Sequence, residues 1–226
     1  MSNTDAMSVS ARIAADKTFA ALFDTIRDHG DAPAAFWLKG EEELSMTYAE
    51  MCRRADDFAS FLGSLAPDSG WIAIAVDTCR DWPTLFWGVL RSGHNVLLLD
   101  ASAPDAQLQG LLDEAGCKVI ISKKPRGLAG NVRQLDFNTI MDAPRTIGFT
   151  PVWGEYVAMC TSGTTGRSRI FAYSGEAVCE QALAAVQIYQ RNRRVIHEEN
   201  HGRKALAFLP FHHCFKIFFC KIFLSD

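Results

Sequence analysis

Three short runs dominated by apolar residues, WIAIAV (71–76), NVLLL (95–99) and KVIIS (118–122), alternate with two segments of helical period. Nothing else in the chain narrows its fold as much. Runs of this length suit strands buried on both faces and are too short to cross a membrane. Between the first two, Trp82, Leu85, Phe86, Val89 and Leu90 fall on one stripe that ends at Gly93. Between the second and third, Pro104 opens a helix carrying Leu108, Leu111, Leu112 and Ala115, and Gly116 stops it. A β-α-β-α-β order calls for parallel strands, right-handed crossovers and helices laid over the sheet. The expected class is α/β, with a mostly parallel sheet and flanking helices.

The flanks are read the same way. Within residues 16–29, Phe19, Leu22, Phe23 and Ile26 share a helical face, closed by Gly30. The stretch AAFWLKGEEELSMTY reads as two strands around a polar turn. Thr47 with Glu50 three residues on is a capping box, opening a helix whose buried face is Met51, Ala55, Phe58, Leu62 and Leu65. Residues 123–154, dotted with Pro and Gly, are expected to hold a strand and connecting loops. A strand at 155–160, a polar loop and a second strand, RIFAY (169–173), follow. Ser174 then begins a helix with Val178, Ala182, Ala185, Val186 and Tyr189 on one face.

Composition excludes several function classes. The 226 residues carry a net charge of -3, and the basic clusters RNRR and GRK are separated by Glu198 and Glu199 with no interleaved aromatics, which argues against nucleic acid as a partner. The apolar stretch 205–224 is interrupted by Pro210, two His and two Lys, so no membrane span is expected. The N-terminus has no apolar signal region, and seven scattered Cys without a C-x-x-C pair suggest reduced thiols and a cytoplasmic setting. HEENH (197–201) matches the H-E-x-x-H zinc signature, but its charged flanks and the Gly202 that follows favour a solvated loop; a zinc hydrolase is kept only as a minor alternative. Adjacent residues of HHC (212–214) point to opposite sides of an extended segment, so no metal ligand is assigned.

The loop TSGTTGRSR, residues 161–169, carries the chemistry. It is neither a Walker loop nor a dinucleotide fingerprint, because the chain contains no G-K-[ST] and no G-x-G. It also joins two expected strands, so any grip on an anion comes from its own groups. Gly163 and Gly166 permit the inward-facing N–H geometry of an anion nest, Thr161, Ser162, Thr164 and Thr165 add hydroxyls, and Arg167 and Arg169 add positive charge. On these residues alone, a phosphate cradle and a glycine-rich hairpin turn with solvated hydroxyls both stand, since turns favour the same residues.

TSGTTGRSR resembles the T-S-G-T-T-G-x-P-K loop of the adenylate-forming superfamily, which includes acyl-CoA synthetases, luciferases and peptide-synthetase adenylation domains. Three further segments resemble that family in the same order: SMTYAEM, the passage from WIAIAV to LLLDASAP, and LPFHHCF, with His213 on the motif histidine. The resemblance runs from about Phe36 to Phe215. It implies that Thr161, Ser162, Gly163, Thr164, Thr165, Gly166 and Arg169 hold the phosphates of ATP with Mg2+, and that His213 lies near the carboxylate of the acid substrate. Ser168 stands where the family has Pro, and Arg169 where it has Lys.

The implied reaction is ATP-dependent activation of a carboxylic acid as an acyl-adenylate, followed by transfer to a thiol, CoA being the expected co-substrate and a fatty or aromatic acid the expected substrate. The family's Y-G-x-T-E segment, ribose-contacting Asp, hinge and catalytic Lys have no counterpart in these 226 residues. The chain is therefore expected to be the N-terminal part of such an enzyme, with no catalytic residue of its own assigned and with apolar edges that promote aggregation. A truncated remnant that at most binds nucleotide is the alternative.

Overall fold

Six strands lie in the order β6-β5-β3-β4-β7-β8, and only the last runs antiparallel to its neighbour. They are β3 (Trp71–Ala75), β4 (Asn95–Leu98), β5 (Val119–Ser122), β6 (Arg133–Asp136), β7 (Tyr156–Thr161) and β8 (Arg169–Ser174). A separate antiparallel hairpin pairs β1 (Pro33–Lys39) with β2 (Glu42–Thr47). The helices are α1 (Val9–Ala15), α2 (Phe19–Arg27), α3 (Tyr48–Leu65), α4 (Trp82–Arg91), α5 (Asp105–Glu114), α6 (Phe137–Met141) and α7 (Gly175–Asn192). The structure, a computed structural model, describes residues 9–65, 70–142, 150–161 and 169–192. No helix among these is long and apolar enough to cross a membrane.

Alternation along the strands divides the core in two. Ile72, Ile74, Val96, Leu98, Val119, Ile121 and Val157 join one cluster with side chains of α2, α3, α4 and α7. Ala73, Ala75, Leu97, Ile120 and Ala158 join a second with Leu108, Leu111 and Leu112 of α5. Helix α4 therefore covers one face and α5 the other, as the expected parallel unit requires. The chain steps from β3 to β4 on one side and then to β5 on the other. That reversal puts a topological switch point between β3 and β5, and open α/β sheets bind ligands outside the carboxyl ends of the strands at such points.

Helix α4 differs from the expected stripe, because all ten of its residues are buried. Packed between the sheet and α3, it has no solvent-facing side. Gly88 makes the approach to α3 possible: a Cβ there would stand 3.1 Å from the carbonyl oxygen of Ala55 and overlap the ring of Phe58. Trp87 at the centre meets Phe23 at 5.4 Å and Phe86 at 5.2 Å between ring centroids.

Local signals behave as their chemistry requires. The hydroxyl of Thr47 accepts from the Glu50 N–H at 3.1 Å, and that of Ser174 from the Ala177 N–H at 3.2 Å, capping α3 and α7. Met51, Ala55, Phe58 and Leu62 are buried as expected, while Leu65 is half-buried. In α7, Val178 and Ala182 are buried and Ala185 is half-buried; the side chains of Val186 and Tyr189 lie outside the described set. Two short helices, α1 and α6, were not expected.

Candidate functional site

Strand β7 lies parallel to β4, in the register Val96↔Val157, Leu97↔Ala158, Leu98↔Met159. Its carboxyl end thus opens on the same edge of the sheet as those of β3, β4, β5 and β6. From that end the chain enters the glycine- and hydroxyl-rich loop and returns along β8. The β7–β8 ladder runs from Tyr156↔Ser174 to Thr161↔Arg169, so Thr161 and Arg169 are the last cross-strand pair before the loop. Side chains directly opposite one another share a face. Thr161 and Arg169 therefore project with the Met159–Phe171 and Val157–Tyr173 pairs, on the face covered by α4 and α7. Cys160 and Ile170 point the other way, against the α5 side.

Both residues of the terminal pair are exposed to solvent. The pair sets a hydroxyl and a guanidinium side by side at the sheet's carboxyl edge, a combination suited to phosphate oxygens. Beside it Phe171, 45% exposed, and half-buried Met159 make an apolar step on the same face. Of the other expected site residues, Ser162, Gly163, Thr164, Thr165, Gly166 and His213 lie outside the described residues, as do HEENH and HHC. Among the described residues no cluster of three or more His, Cys, Asp or Glu is arranged to hold a metal ion.

The surroundings are held by ion pairs that no sequence pattern announced. Asp81, at the start of α4 and 7% exposed, receives Arg54 of α3 at 2.5 Å and Arg80 at 2.8 Å. The Arg80 guanidinium also lies 5.3 Å from the centre of the Trp37 ring, tying the β1–β2 hairpin to this corner. The charged run D-T-C-R-D after β3 is the only signal in the sequence, and it does not reveal that the partner is 27 residues upstream. Beyond β5, the Asp136 carboxyl is held below its ordinary range by the backbone N–H of Thr139 and then by its hydroxyl, both at 2.9 Å.

The thiols of Cys52, Cys117, Cys160 and Cys179 are structural. Burial pushes Cys160, next to Thr161, up to about 11, and Cys117 also to about 11. Cys52 and Cys179 are pushed to about 12, again chiefly by burial. None is a thiolate nucleophile at neutral pH.

The profile of a family described as AMP-binding enzyme matches residues 22–225. Surfactin synthase subunit 2 from Bacillus subtilis is 28% identical over 169 residues, covering 68% of this chain and 5% of that protein. The nonribosomal peptide synthetase otaB from Aspergillus carbonarius is 33% identical over 129 residues, covering 54% of this chain and 7% of that protein. The chain thus spans a small fraction of the length of these curated relatives. Among solved structures, o-succinylbenzoate CoA synthetase from Bacillus subtilis, in complex with an acyl-adenylate intermediate, superposes with a TM-score of 0.68 at 15% identity. That superposition covers 90% of this chain and 53% of the synthetase, and shows a shared fold.

Proposed function

Because the chain belongs to the AMP-binding enzyme family, we propose that it carries the ATP-phosphate grip of an enzyme that activates a carboxylic acid as an acyl-adenylate. The observation that supports this most is the Thr161↔Arg169 pair, which presents the two ends of the loop at the carboxyl edge of the sheet beside β4. In the reaction a carboxylate attacks the α-phosphorus and pyrophosphate leaves. Two anions must meet, so the protein's share of the work is alignment and charge neutralisation.

The Thr161 hydroxyl donates to a phosphate oxygen and Arg169 balances the charge of the leaving pyrophosphate. Ser162, Gly163, Thr164, Thr165 and Gly166 supply further hydroxyl and backbone N–H donors. On the motif resemblance, His213 would serve the carboxylate of the acid. Mg2+ bound with the nucleotide would add positive charge against the phosphates, and the exposed Thr161 hydroxyl and Arg169 guanidinium at the loop's ends would hold such a complex through its phosphates rather than through the ion.

The names of the curated relatives favour an amino acid, activated within a peptide synthetase, over a fatty acid passed to CoA. Transfer to CoA is the second reading, suggested by the motif resemblance. A cytoplasmic setting is supported by the free thiols of Cys52, Cys79, Cys117, Cys160 and Cys179.

Calorimetric titration of the chain with Mg·ATP and with Mg·pyrophosphate tests the grip. Replacing Thr164 with Val and Gly166 with Ala together is expected to weaken both affinities at least about tenfold, the effect of losing a charge-assisted hydrogen bond. Unchanged affinity in the double variant sinks the assignment. Acid-dependent pyrophosphate exchange by the whole enzyme that carries this chain, with amino acids set against fatty acids, then separates the two substrate readings.

A further inference from the structure

The loop can present its groups in one place only if the strand that feeds it starts in one place. Strand β7 begins at a corner where three elements hold it. The N–H of Val152 donates to Arg91 O at 3.2 Å and that of Gly154 to Leu90 O at 2.7 Å, so the lead-in is laced to the end of α4. Gly154 sits so close that a Cβ would stand 2.6 Å from the carbonyl carbon of His94. Trp153 packs edge-on against Phe23 at 5.5 Å, with the Arg91 guanidinium 5.0 Å from its ring centre.

The third hold is a side chain. Asn95 Oδ1 accepts from the N–H of Glu155 and from the N–H of Tyr156, each at 2.9 Å. The main-chain ladder between β4 and β7 starts one residue later, at Val96↔Val157. Asn95 therefore acts as one extra rung at the ladder's start and takes two donors that have no strand partner there. The same dipeptide is tied to the return strand: Glu155 O accepts from the Gly175 N–H at 3.1 Å, and Tyr156 pairs with Ser174. Both arms of the hairpin are thus referenced to one amide.

We infer that Asn95 is a positioning residue for the phosphate loop: by fixing where β7 starts, it fixes how far Thr161 and Arg169 stand beyond the carboxyl edge of β4. The nucleotide side of this inference rests on the function proposed above; the geometric side does not. Asn95→Leu keeps the bulk and removes the acceptor, and Asn95→Asp keeps an acceptor oxygen. In Asn95→Leu the amides of Glu155 and Tyr156 are expected to exchange about tenfold faster, the effect of losing a hydrogen bond. The amide resonances of Thr161 and Arg169 move, and the Kd for Mg·AMPPNP rises about fivefold. Asn95→Asp restores all three, and thermal melts of both variants stay cooperative.

Faster exchange at 155 and 156 with Thr161 and Arg169 unmoved overturns the inference, as does a Kd within twofold of the parent chain's. If the parent chain itself binds no Mg·AMPPNP, the functional reading fails. The resonances at the loop's two ends then decide the inference.

Discussion

Thr161 stands directly across the β7–β8 ladder from Arg169, at the last pair before the loop. A guanidinium in that place offers two parallel donors, where an ammonium offers a point charge. Arg169→Ala is expected to raise the Kd for Mg·pyrophosphate at least about tenfold, as loss of a charged hydrogen-bond donor does. Arg169→Lys should recover part of the loss. Titration calorimetry at two salt concentrations checks it: an Ala variant with parental affinity removes Arg169 from the site.

Gly88 lies where α4 crosses α3, and the atoms in its way are the Phe58 ring and the Ala55 carbonyl. Gly88→Ala is therefore overpacked and should lose about 2 kcal/mol of stability. The ring can be trimmed and the carbonyl cannot, so adding Phe58→Leu should recover part of the loss. Urea unfolding of the two single variants and the double measures this coupling.

The two arginines at 53 and 54 should differ sharply. Arg53 pairs with Asp57 one turn on, with 63% of its side chain exposed. Arg54 pairs with Asp81, whose side chain is only 10% exposed. Arg53→Met is expected to cost about 0.5 kcal/mol at most. Arg54→Met should cost about 2 kcal/mol, because it leaves a mostly buried carboxylate with Arg80 as its remaining cation. Equal unfolding midpoints for the two variants would contradict the pairing.

Burial raises the Cys52 thiol from an ordinary 9.0 to about 12. Below the lower value both folded and unfolded chains keep the proton, and the thiol's contribution to stability is intact. Above it the unfolded chain releases the proton and the folded chain does not, so stability falls as pH rises toward the upper value. Urea midpoints from about pH 8 to about pH 11 should fall less steeply in Cys52→Ala than in the parent chain. Identical slopes would show that the thiol ionises as freely folded as unfolded.

The β3-α4-β4-α5-β5 unit was legible because each strand is a short run dominated by apolar residues and each helix shows its period. The elements that were missed or left without bounds carry little such signal. Helix α6 has five residues, too few for a period, and in the edge strand β6 only Leu135 is buried. The stripe read for α4 understated its burial, because periodicity reports which side faces the sheet and not what covers the other. The proposal for the loop's chemistry could be drawn from its glycines and hydroxyls. What anchors it could not: Asn95 meets Glu155 across 60 positions of chain, and Arg54 meets Asp81 across 27. Neither pair lies on a common local period.

A helix with no wet side has nothing to stand on until its neighbours arrive. Helix α4 buries all ten residues, so as an isolated segment it would present a mostly apolar surface to water, and its packing belongs to the cooperative, all-or-none closure of the domain. Its carboxyl end carries the two carbonyls that receive Val152 and Gly154. The strand that leads into the loop is therefore moored to a part of the molecule that opens only with the core, and a chain in which α4 has not packed has no fixed place from which to present the loop.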